Sequence, residues 1–306
     1  MTTLRVLPHI ADALRRGAPV VALETSVLSQ GLPVPHNADA AARMVAAVES
    51  AGAMAALTAV AAGEATLGLT PEELTRFLAR DRVRKVSARD LACCMVQGAD
   101  GATTVAASIT LAHAAGVEVF ATGGIGGVHR GAPFDESADL IALSRTPVIV
   151  VCAGAKSILD LPSTLERLET LGVPVIGYRT NELPGFYTVG TGLRVPLRAE
   201  SPDEIARIAR AHWALGERSA VLVVQPPPAA TALDQETVDA AVRGAVRDAG
   251  TEGISGATLT PFLLGAVLSA TEGKSLATNL ALLESNASLA AQIAVACAAL
   301  PARKLM

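Results

Sequence analysis

Short apolar runs alternate with helix-like patterns along most of the chain, and this alternation limits what the chain can fold into. An apolar run bounded by Gly or Pro is typical of a buried strand, while apolar residues spaced three and four apart are typical of an amphipathic helix. Strands that alternate with helices form βαβ units around a parallel sheet. The predicted strands are residues 19–24, 56–60, 117–122, 147–152, 174–178 and 220–225. The predicted helices between them are residues 37–51, 71–78, 103–115, 162–171 and 203–215.

The C-terminal part of the chain is predicted to be helical, at residues 234–249, 259–269 and 275–299. No strand pattern follows residues 226–228, so these helices are predicted to pack on the preceding sheet. Hydrophobic residues make up 51% of the chain and aromatic residues 3%, which suits a parallel sheet with a core of small and branched side chains. We therefore predict an α/β fold of three α/β/α layers with a mostly parallel central sheet, in a single domain over residues 1–306. The irregular segment 181–197 is predicted to be a hairpin or a lid.

Charge and targeting features argue against several classes of protein. The net charge is −4 and aromatic residues are scarce, which argues against nucleic-acid binding but allows a small anionic substrate. The N-terminal residues lack the apolar core of a signal peptide. The apolar segment 276–300 carries polar side chains, so it is predicted to be a docked helix rather than a membrane span. We expect a cytoplasmic protein, whose cysteines in a reducing compartment would be buried free thiols: Cys93, Cys94, Cys152 and Cys297.

Three unusual segments each follow a predicted strand. They are Glu24-Thr25-Ser26, the glycine-rich residues 122–131, and residues 153–157 with Lys156. In open α/β sheets, ligands bind at the carboxyl ends of the strands. The coincidence of these segments at one edge of the sheet therefore predicts a functional site there.

Lys156 and Glu24 are the main candidates for catalysis at this edge. A lysine on a tight connection after an apolar strand can be partly desolvated, which lowers its pKa and frees its amine as a nucleophile. A shielded carboxyl can keep its proton near neutral pH and act as an acid. The sequence equally allows Lys156 to pair with Asp160 or to bind phosphate, and Glu24 to cap the following turn.

The glycine-rich segment and the start of one helix are suited to an anion. Glycines let the backbone approach a ligand, and consecutive N–H groups can cradle an anion. His129 and Arg130 add side-chain donors to the segment. Thr103 and Thr104 lie at the amino end of a predicted helix, where a phosphate binds well. Lys85 either adds positive charge or is simply exposed.

Asp135 and Asp139 form an acidic candidate site. Aspartates four residues apart could provide oxygen ligands for a hard divalent metal ion. Asp135 could instead cap a helix that begins at Glu136.

The chain resembles the pseudouridine-5′-phosphate glycosidase family from end to end. Eight stretches carry the resemblance, and a chance match to all of them in order is implausible. Two of them contain TGGIGGVHRG and VCAGAKSILD, which are long and specific. The stretches that carry the resemblance are ALETSVLSQGLPVPHN, GLTPEEL, KVSARDL, GATTVAASI, FATGGIGGVHRG, FDESADL, VVCAGAKSILDLPSTLERLETLGVPVIGY and TPFLLGAVLSATEGKSLATNLALLESNA.

This resemblance implies a reversible conversion of pseudouridine 5′-phosphate and water to uracil and ribose 5-phosphate. The proton donor of the family falls on Glu24, its nucleophilic lysine on Lys156 and its Mn²⁺-binding aspartate on Asp135. The lysine would bind the anomeric carbon of the ring-opened sugar as an imine. The resemblance further implies a homotrimer. The expected substrate contacts, including Thr104 at the helix start, are Lys85, Thr104, Val105, His129, Ser137, Ala138, Asp139 and Asn279.

The chain departs from the family pattern at two places. ETS stands where EST is expected after the glutamate, and GAPFD is about two residues shorter than the usual stretch before the metal aspartate. Two other functions are also compatible with the sequence. One is a different lysine-imine enzyme that acts on a sugar phosphate, such as an aldolase-like lyase. The other is a non-catalytic metabolite-binding protein.

Overall fold

The structure of the protein, a computed structural model, describes residues 4–131, 135–254 and 259–301. The strands of these residues form one sheet in the order β1-β4-β3-β2-β7-β8-β11-β9-β10, with β6 paired to β3 and β5. The strands are β1 (Arg5–Val6), β2 (Val20–Leu23), β3 (Met54–Ala61), β4 (Glu64–Leu67), β5 (Arg84–Val86), β6 (Gly101–Thr103), β7 (Val119–Ala121), β8 (Ile149–Cys152), β9 (Val175–Tyr178), β10 (Leu197–Ala199) and β11 (Val221–Val224).

Some helices pack against the strands of this sheet and others against neighbouring helices, and a short π-helical turn at Val27–Gly31 follows β2. The helices are α1 (Pro8–Arg15), α2 (His36–Ser50), α3 (Pro71–Ala79), α4 (Leu91–Val96), α5 (Val105–Ala114), α6 (Ala138–Leu143), α7 (Leu161–Thr170), α8 (Pro202–Ala214), α9 (Gln235–Glu252), α10 (Leu259–Ala270) and α11 (Lys274–Ala299).

The centre of the sheet is parallel, as the sequence predicts. β2 pairs in parallel with β3 and β7, and β7 with β8. β11 pairs in parallel with β8 and β9. Antiparallel pairs occur where β3 meets β4 and β6. The carboxyl ends of β2, β7 and β8 therefore lie side by side, which brings together the segments that follow them.

Every predicted strand and helix has a counterpart in the structure, with small shifts at the ends. The strands that the sequence analysis missed are β1, β4, β5, β6 and β10, which have at most four residues each and lie away from the centre of the sheet. Such short strands carry little apolar pattern. The helix beginning at Pro71 is confirmed, since Thr70 caps α3 and forms a capping box with Glu73, which satisfies otherwise unpaired N–H groups.

α11 lies at the centre of the fold. It packs against β2, β7 and β8 and against α2 and α8. By length and composition this helix could cross a membrane, but 67% of its most apolar window is buried inside the protein. The prediction of a docked helix is therefore confirmed. A single domain over residues 1–306 stays a prediction, although one sheet unites the described strands.

The expectation that all the cysteines are buried is wrong for Cys93. Cys94, Cys152 and Cys297 are buried, but Cys93 is exposed. On α4 the buried residues are Leu91 and Cys94, which are three apart and share one face of the helix. Cys93 projects from the opposite side.

Candidate active site

Glu24 follows β2 directly and is held by hydroxyl groups. Leu23 of β2 pairs with Ala121 of β7, so Glu24 and Thr122 are neighbours just beyond the strands. The Thr122 hydroxyl donates a hydrogen bond to Oε1 of Glu24. The Ser26 hydroxyl donates to Oε2 at 2.5 Å. Glu24 is only 5% exposed, so both oxygens of its buried carboxyl are paired.

Burial raises the pKa of Glu24 above its ordinary value. The positive charge of Lys156 opposes this shift most, followed by the hydroxyls of Ser26 and Thr122. The charge of Asp139 adds to the rise. A buried carboxyl with a raised pKa retains its proton at higher pH and can serve as an acid.

The ETS sequence gives its two hydroxyls different roles. While Ser26 faces Glu24, the Thr25 hydroxyl donates to Thr58 O on β3 at 2.8 Å. Thr103 belongs to the same buried network, with its hydroxyl donating to Thr58 O at 2.7 Å. The expectation that Thr103 meets a phosphate is therefore wrong, because its side chain is fully buried between strands.

Lys156 lies on an extension of β8. Ile125 and Ala155 form an isolated parallel bridge beyond the ends of β7 and β8, and the Lys156 N–H donates to Ile125 O at 3.1 Å. Asp160 caps α7 by accepting from the Ser163 N–H at 3.0 Å. This cap uses Oδ1 of Asp160, and no ion pair between Asp160 and Lys156 is found among the described residues. The lysine is half-buried, and its charge reaches Glu24.

Asp139 ties the glycine-rich segment to the start of α5. Its Oδ2 accepts from the Gly126 N–H at 2.8 Å and its Oδ1 from the Ala106 N–H at 2.9 Å. A Cβ at Gly126 would collide with the Ser137 side chain and lie 2.9 Å from Asp139 Oδ2. Only glycine fits this close approach. Since Asp139 occupies one N–H of the first turn of α5, an anion there would have to use the other donors.

Lys85 on β5 is an exposed residue, yet charges of the site act on it. The pKa of Lys85 is lowered, mainly because neighbouring protein atoms shield its ammonium group from water and secondly by the charge of Lys156. The residue as a whole is nevertheless exposed. Asp139 and Glu24 act in the opposite direction. Lys85 therefore lies close enough for the charges of Lys156, Asp139 and Glu24 to act on its ammonium group.

His129 and Asp135 lie together beside the glycine-rich segment. His129 Nδ1 is 3.0 Å from Asp135 Oδ1, and the His129 N–H donates to Asp135 O at 2.9 Å. Ser137, rather than Asp135, is the N-cap of α6, and its hydroxyl accepts from the Asp139 N–H at 3.2 Å. The alternative in which Asp135 caps a helix from Glu136 is therefore wrong. The shortened GAPFD stretch falls largely on residues 132–134, outside the described residues.

Asp135, whose carboxylate lies beside His129, is the more exposed acid that a metal ion could use here. Its side chain is 41% exposed, whereas Glu136 pairs with Arg167 at 3.0 Å. The described residues contain no group of three His, Cys, Asp or Glu side chains placed to hold a metal ion. One carboxylate with water and substrate phosphate is a donor set that hard divalent ions accept. The residues present thus fit a water-rich site better than an all-protein cage.

Several buried polar atoms near these strand ends lack partners. Thr104 Oγ1, Ser157 Oγ and Asn279 Oδ1 have no hydrogen-bond partner within the described part of the chain. A Cβ at Gly123 would lie 3.5 Å from Asn279 Oδ1, so this oxygen faces the glycine-rich segment. Buried polar groups normally have partners, and a bound polar ligand would supply them. Val105 is buried at the start of α5 and Ala138 begins α6, so a ligand there would meet mainly backbone groups.

The irregular segment 181–197 is a hairpin that supports the site. The Leu183 N–H donates to Leu193 O at 2.8 Å, and Glu182 and Arg194 form an antiparallel bridge. Buried Phe186 reaches the glycine-rich segment, since a Cβ at Gly124 would lie 2.6 Å from its ring. The hairpin alternative is therefore confirmed. The hairpin contacts the residues that precede Lys156, because the Phe186 N–H donates to Ala153 O at 3.2 Å.

Comparisons with known proteins place this arrangement in a family. The family model for indigoidine synthase A like proteins matches residues 9–296. A pseudouridine-5′-phosphate glycosidase of Gemmatimonas aurantiaca is 63% identical over 292 residues, which cover 95% of this chain and 95% of the relative. The chain belongs to the pseudouridine-5′-phosphate glycosidase family. A second member, from Myxococcus xanthus, is 49% identical and covers 96% of this chain and 98% of its own.

Two solved structures related to this family share the fold. The prealnumycin C-glycosynthase AlnA, solved in complex with ribulose 5-phosphate, has a TM-score of 0.91 and 38% identity over 98% of both chains. An indigoidine synthase A-like protein of Thermotoga maritima has a TM-score of 0.88 and 33% identity over 96% of both chains. The fold predicted from the sequence is thus found in structures of related proteins.

Some contacts that shape this family member's site were not predicted from the sequence, although Ser26 and Thr122 belong to the segments predicted to lie there. Ser26, Thr122 and Phe186 contact the site, and Asn286 of α11 binds the backbone at Thr122. A hydroxyl two residues after Glu24 was visible in the ETS motif. The role of Thr122 was not, because it depends on β2 and β7 being neighbours in the sheet.

Proposed function

We propose that this enzyme cleaves the carbon–carbon glycosidic bond of pseudouridine 5′-phosphate, reversibly giving uracil and ribose 5-phosphate. The observation that carries the proposal is the interaction of a buried acid with a lysine at the ends of two strands that only β7 separates. Glu24 has a raised pKa, and the charge of Lys156 acts on it directly. A carbon–carbon glycoside needs both groups, because its leaving group has no heteroatom to protonate.

The proposed first step opens the sugar. The neutral amine of Lys156 forms a bond to the anomeric carbon C1′ as the bond between C1′ and the ring oxygen breaks. Glu24 gives its proton to that oxygen, which becomes a hydroxyl. Nucleophilic and acid catalysis thus act on the two atoms of one bond.

The proposed second step releases uracil. The lysine nitrogen, an ammonium after the attack, first gives a proton to the Glu24 carboxylate. Its lone pair then forms a double bond to C1′ while the bond from C1′ to C5 of uracil breaks and C5 takes that proton from Glu24. The product on the enzyme is an imine of the open-chain sugar. Water then adds to the imine carbon, and the C–N bond breaks to free ribose 5-phosphate and Lys156. Paired carboxylates, as in ordinary glycosidases, would not supply this lone pair next to C1′.

We propose that the remaining predicted residues bind the substrate. Lys85 supplies charge for the phosphate, together with Thr104 Oγ1 and the backbone at Val105, Ser137 and Ala138. Asp139 shapes this subsite by fixing Gly126 and Ala106. Asn279 Oδ1 and His129 are assigned to the uracil end, and the unpartnered state of Asn279 Oδ1 supports this.

We propose Mn²⁺ as the cofactor, with Asp135 as its ligand. The half-exposed carboxylate and its neighbour His129 support a site completed by water and substrate. When bound, the ion would add positive charge near the anionic substrate. Asp135 and His129 would hold the glycine-rich segment in register through their backbone bond.

We further propose that the enzyme works in the cytoplasm as a homotrimer. The support is the family resemblance. Sedimentation equilibrium of the purified protein tests the trimer, since a monomer or dimer mass at working concentration would contradict it.

An assay for uracil release tests the proposed function. The purified enzyme is expected to release uracil from pseudouridine 5′-phosphate and to form the nucleotide from uracil and ribose 5-phosphate. Cleavage of other sugar phosphates, with pseudouridine 5′-phosphate untouched, would instead support an aldolase-like lyase. Tight binding without turnover in either direction, with and without Mn²⁺, would support a metabolite-binding protein.

A further inference from the structure

The hydrogen bonds behind Glu24 continue from the active site into α11. Asn286 of α11 is 1% exposed. Its Nδ2 donates to Thr122 O at 2.8 Å and to Gly123 O at 3.4 Å. Its Oδ1 accepts from Nε2 of Gln225 at 2.9 Å. One buried amide therefore connects α11 to the residues just beyond β7 and β11.

The location of Asn286 relative to β8 makes this connection relevant to catalysis. β8 lies between β7 and β11 in the sheet, and it leads to Lys156. The Gln225 N–H also donates to Cys152 O, the last residue of β8, at 3.0 Å. Asn286 thus bridges the strands on both sides of the one that carries the nucleophile.

Thr122 transmits this anchoring to Glu24. Its N–H donates to Val151 O at 3.0 Å, and its O accepts from Asn286. With both backbone groups fixed, the Thr122 side chain has a set direction, and its hydroxyl donates to Glu24 Oε1. A donor to a carboxylate favours the charged form.

We infer that Thr122 and Asn286 are positioning residues for the acid: the Thr122 hydroxyl stabilises the Glu24 carboxylate, and Asn286 holds Thr122 where it can do so. The inference rests on the proposed function for the role of Glu24 as the acid. Burial alone would make the proton of Glu24 hard to release. The hydroxyl groups of Thr122 and Ser26 oppose that effect, which keeps the acid able to give its proton to the substrate.

Removal of the Thr122 hydroxyl tests the first half of the inference. Thr122→Val keeps the shape of the side chain and removes the donor, while Thr122→Ser retains the donor. The alkaline limb of the kcat–pH profile, where the acid loses its proton, is expected to move up by about one pH unit in Thr122→Val, the size of one hydrogen bond to a charged group. Thr122→Ser is expected to keep the limb at the wild-type pH.

A matched control separates this effect from the loss of any buried hydroxyl. Thr66 on β4 is fully buried, and its hydroxyl donates to Gly68 O at 2.8 Å. Thr66→Val removes this hydrogen bond and the one that the hydroxyl accepts from Arg5 Nε, both outside the site. The alkaline limb of its kcat–pH profile is expected to stay at the wild-type pH. A limb that moves equally in Thr66→Val and Thr122→Val would overturn the inference.

Removal of the Asn286 amide tests the second half. Asn286→Leu is expected to lower kcat with little change in KM and to move the limb in the same direction as Thr122→Val. In the double variant the shift should not exceed that of Thr122→Val alone, because Asn286 acts through Thr122. A full additional shift would show that Asn286 acts by another route. If Asn286→Leu does not fold, Gln225→Met removes the donor that orients Asn286 and carries the same expectation.

A spectroscopic titration distinguishes failure of this inference from failure of the proposed function. The infrared C=O band of the protonated Glu24 carboxyl is identified as the band that Glu24→Gln removes. It should persist to higher pH in Thr122→Val than in the wild type. If the band shifts while the kcat limb does not, the inference stands and Glu24 is not the acid. If the band titrates at the wild-type pH in Thr122→Val, the inference is wrong.

Discussion

The charge of Lys156 is the strongest influence that lowers the pKa of Glu24. Burial raises that pKa, and the hydroxyls of Ser26 and Thr122 lower it less than the lysine does. The two residues follow β8 and β2, which are separated only by β7. When Lys156 loses its proton to become the nucleophile, its positive charge is lost, so Glu24 should hold a proton more tightly at that stage than in the resting enzyme.

This relationship predicts how Glu24 affects stability. Because the pKa of Glu24 is raised above its usual value of 4.5, the folded protein binds this proton more tightly than the unfolded chain does. The resulting stabilisation is complete below the usual pKa and is lost as pH rises through the raised pKa. Glu24→Gln cannot lose a proton, so its Tm relative to the wild type is expected to increase from acid to mildly alkaline pH.

Thermal melts across this pH range check the prediction. Glu49→Gln, at an exposed position of α2, serves as the matched control and should show no such trend. A constant Tm difference between Glu24→Gln and the wild type would contradict a raised pKa for Glu24.

The phosphate subsite gives a second prediction, at Lys85. A charge-assisted contact in a partly closed site contributes about 2–3 kcal/mol, equivalent to roughly 30- to 150-fold in kcat/KM. Lys85→Met is therefore expected to reduce kcat/KM for pseudouridine 5′-phosphate by about this factor and to affect unphosphorylated pseudouridine far less. If phosphate binding also holds the opened sugar against Lys156, kcat should fall together with the rise in KM.

Arg84 is the control for this double cycle, because neighbouring residues of a strand point to opposite faces. Arg84→Met removes a cation of the same strand that donates to Gln97. It should change kcat/KM by the same factor for pseudouridine 5′-phosphate and for unphosphorylated pseudouridine. Equal proportional losses for the nucleoside and the nucleotide in Lys85→Met would assign the phosphate to the glycine-rich segment and Arg130.

Metal binding gives a third prediction, at Asp135. Asp135→Asn keeps the size of the side chain and removes the charge that a hard cation prefers. We expect weaker Mn²⁺ binding by calorimetry and lower activity, with part of the activity restored at high Mn²⁺. Glu136→Gln, which removes the partner of Arg167, is the neighbouring control. Unchanged Mn²⁺ affinity in Asp135→Asn would exclude Asp135 as the ligand.

The sequence was sufficient to predict the central sheet and the edge at which the site lies. Glu24, the glycine-rich segment and Lys156 each follow a buried parallel strand, and such strand ends meet at one edge by geometry. The order of the strands was not readable, because pairing in a parallel sheet joins residues that are distant along the chain. Thr122 as a donor to Glu24, and Asn286 as its anchor, depend on that order.

The sequence pattern also does not predict which polar side chains form local hydrogen bonds. Asp135 and Ser137 were both possible caps for the following helix, and the structure selects Ser137. Thr103 and Thr104 are adjacent, yet the Thr103 hydroxyl is used between strands while Thr104 Oγ1 has no partner among the described residues. Alternation of side chains along an extended chain separates such neighbours, but the sequence does not say which of them faces the ligand.

The role of Lys156 gives the fourth prediction. Lys156→Ala is expected to fold and to lose turnover of pseudouridine 5′-phosphate, because the loss of a covalent route should raise the barrier by several kcal/mol. Circular dichroism and Tm check the fold, and the uracil assay checks turnover. A folded variant that keeps more than about a tenth of wild-type kcat, a change of only about 1.4 kcal/mol, would contradict the assignment.

Reductive trapping tests the central claim most directly. Borohydride added to the enzyme with ribose 5-phosphate should reduce the imine to a stable amine, and peptide mass spectrometry should find the sugar phosphate on Lys156. Lys85 is the informative alternative, since its pKa is lowered and the charge of Lys156 is one of the causes. The account predicts modification of Lys156 in the wild type and none in Lys156→Ala. An adduct on Lys85, or one that persists in Lys156→Ala, would contradict it.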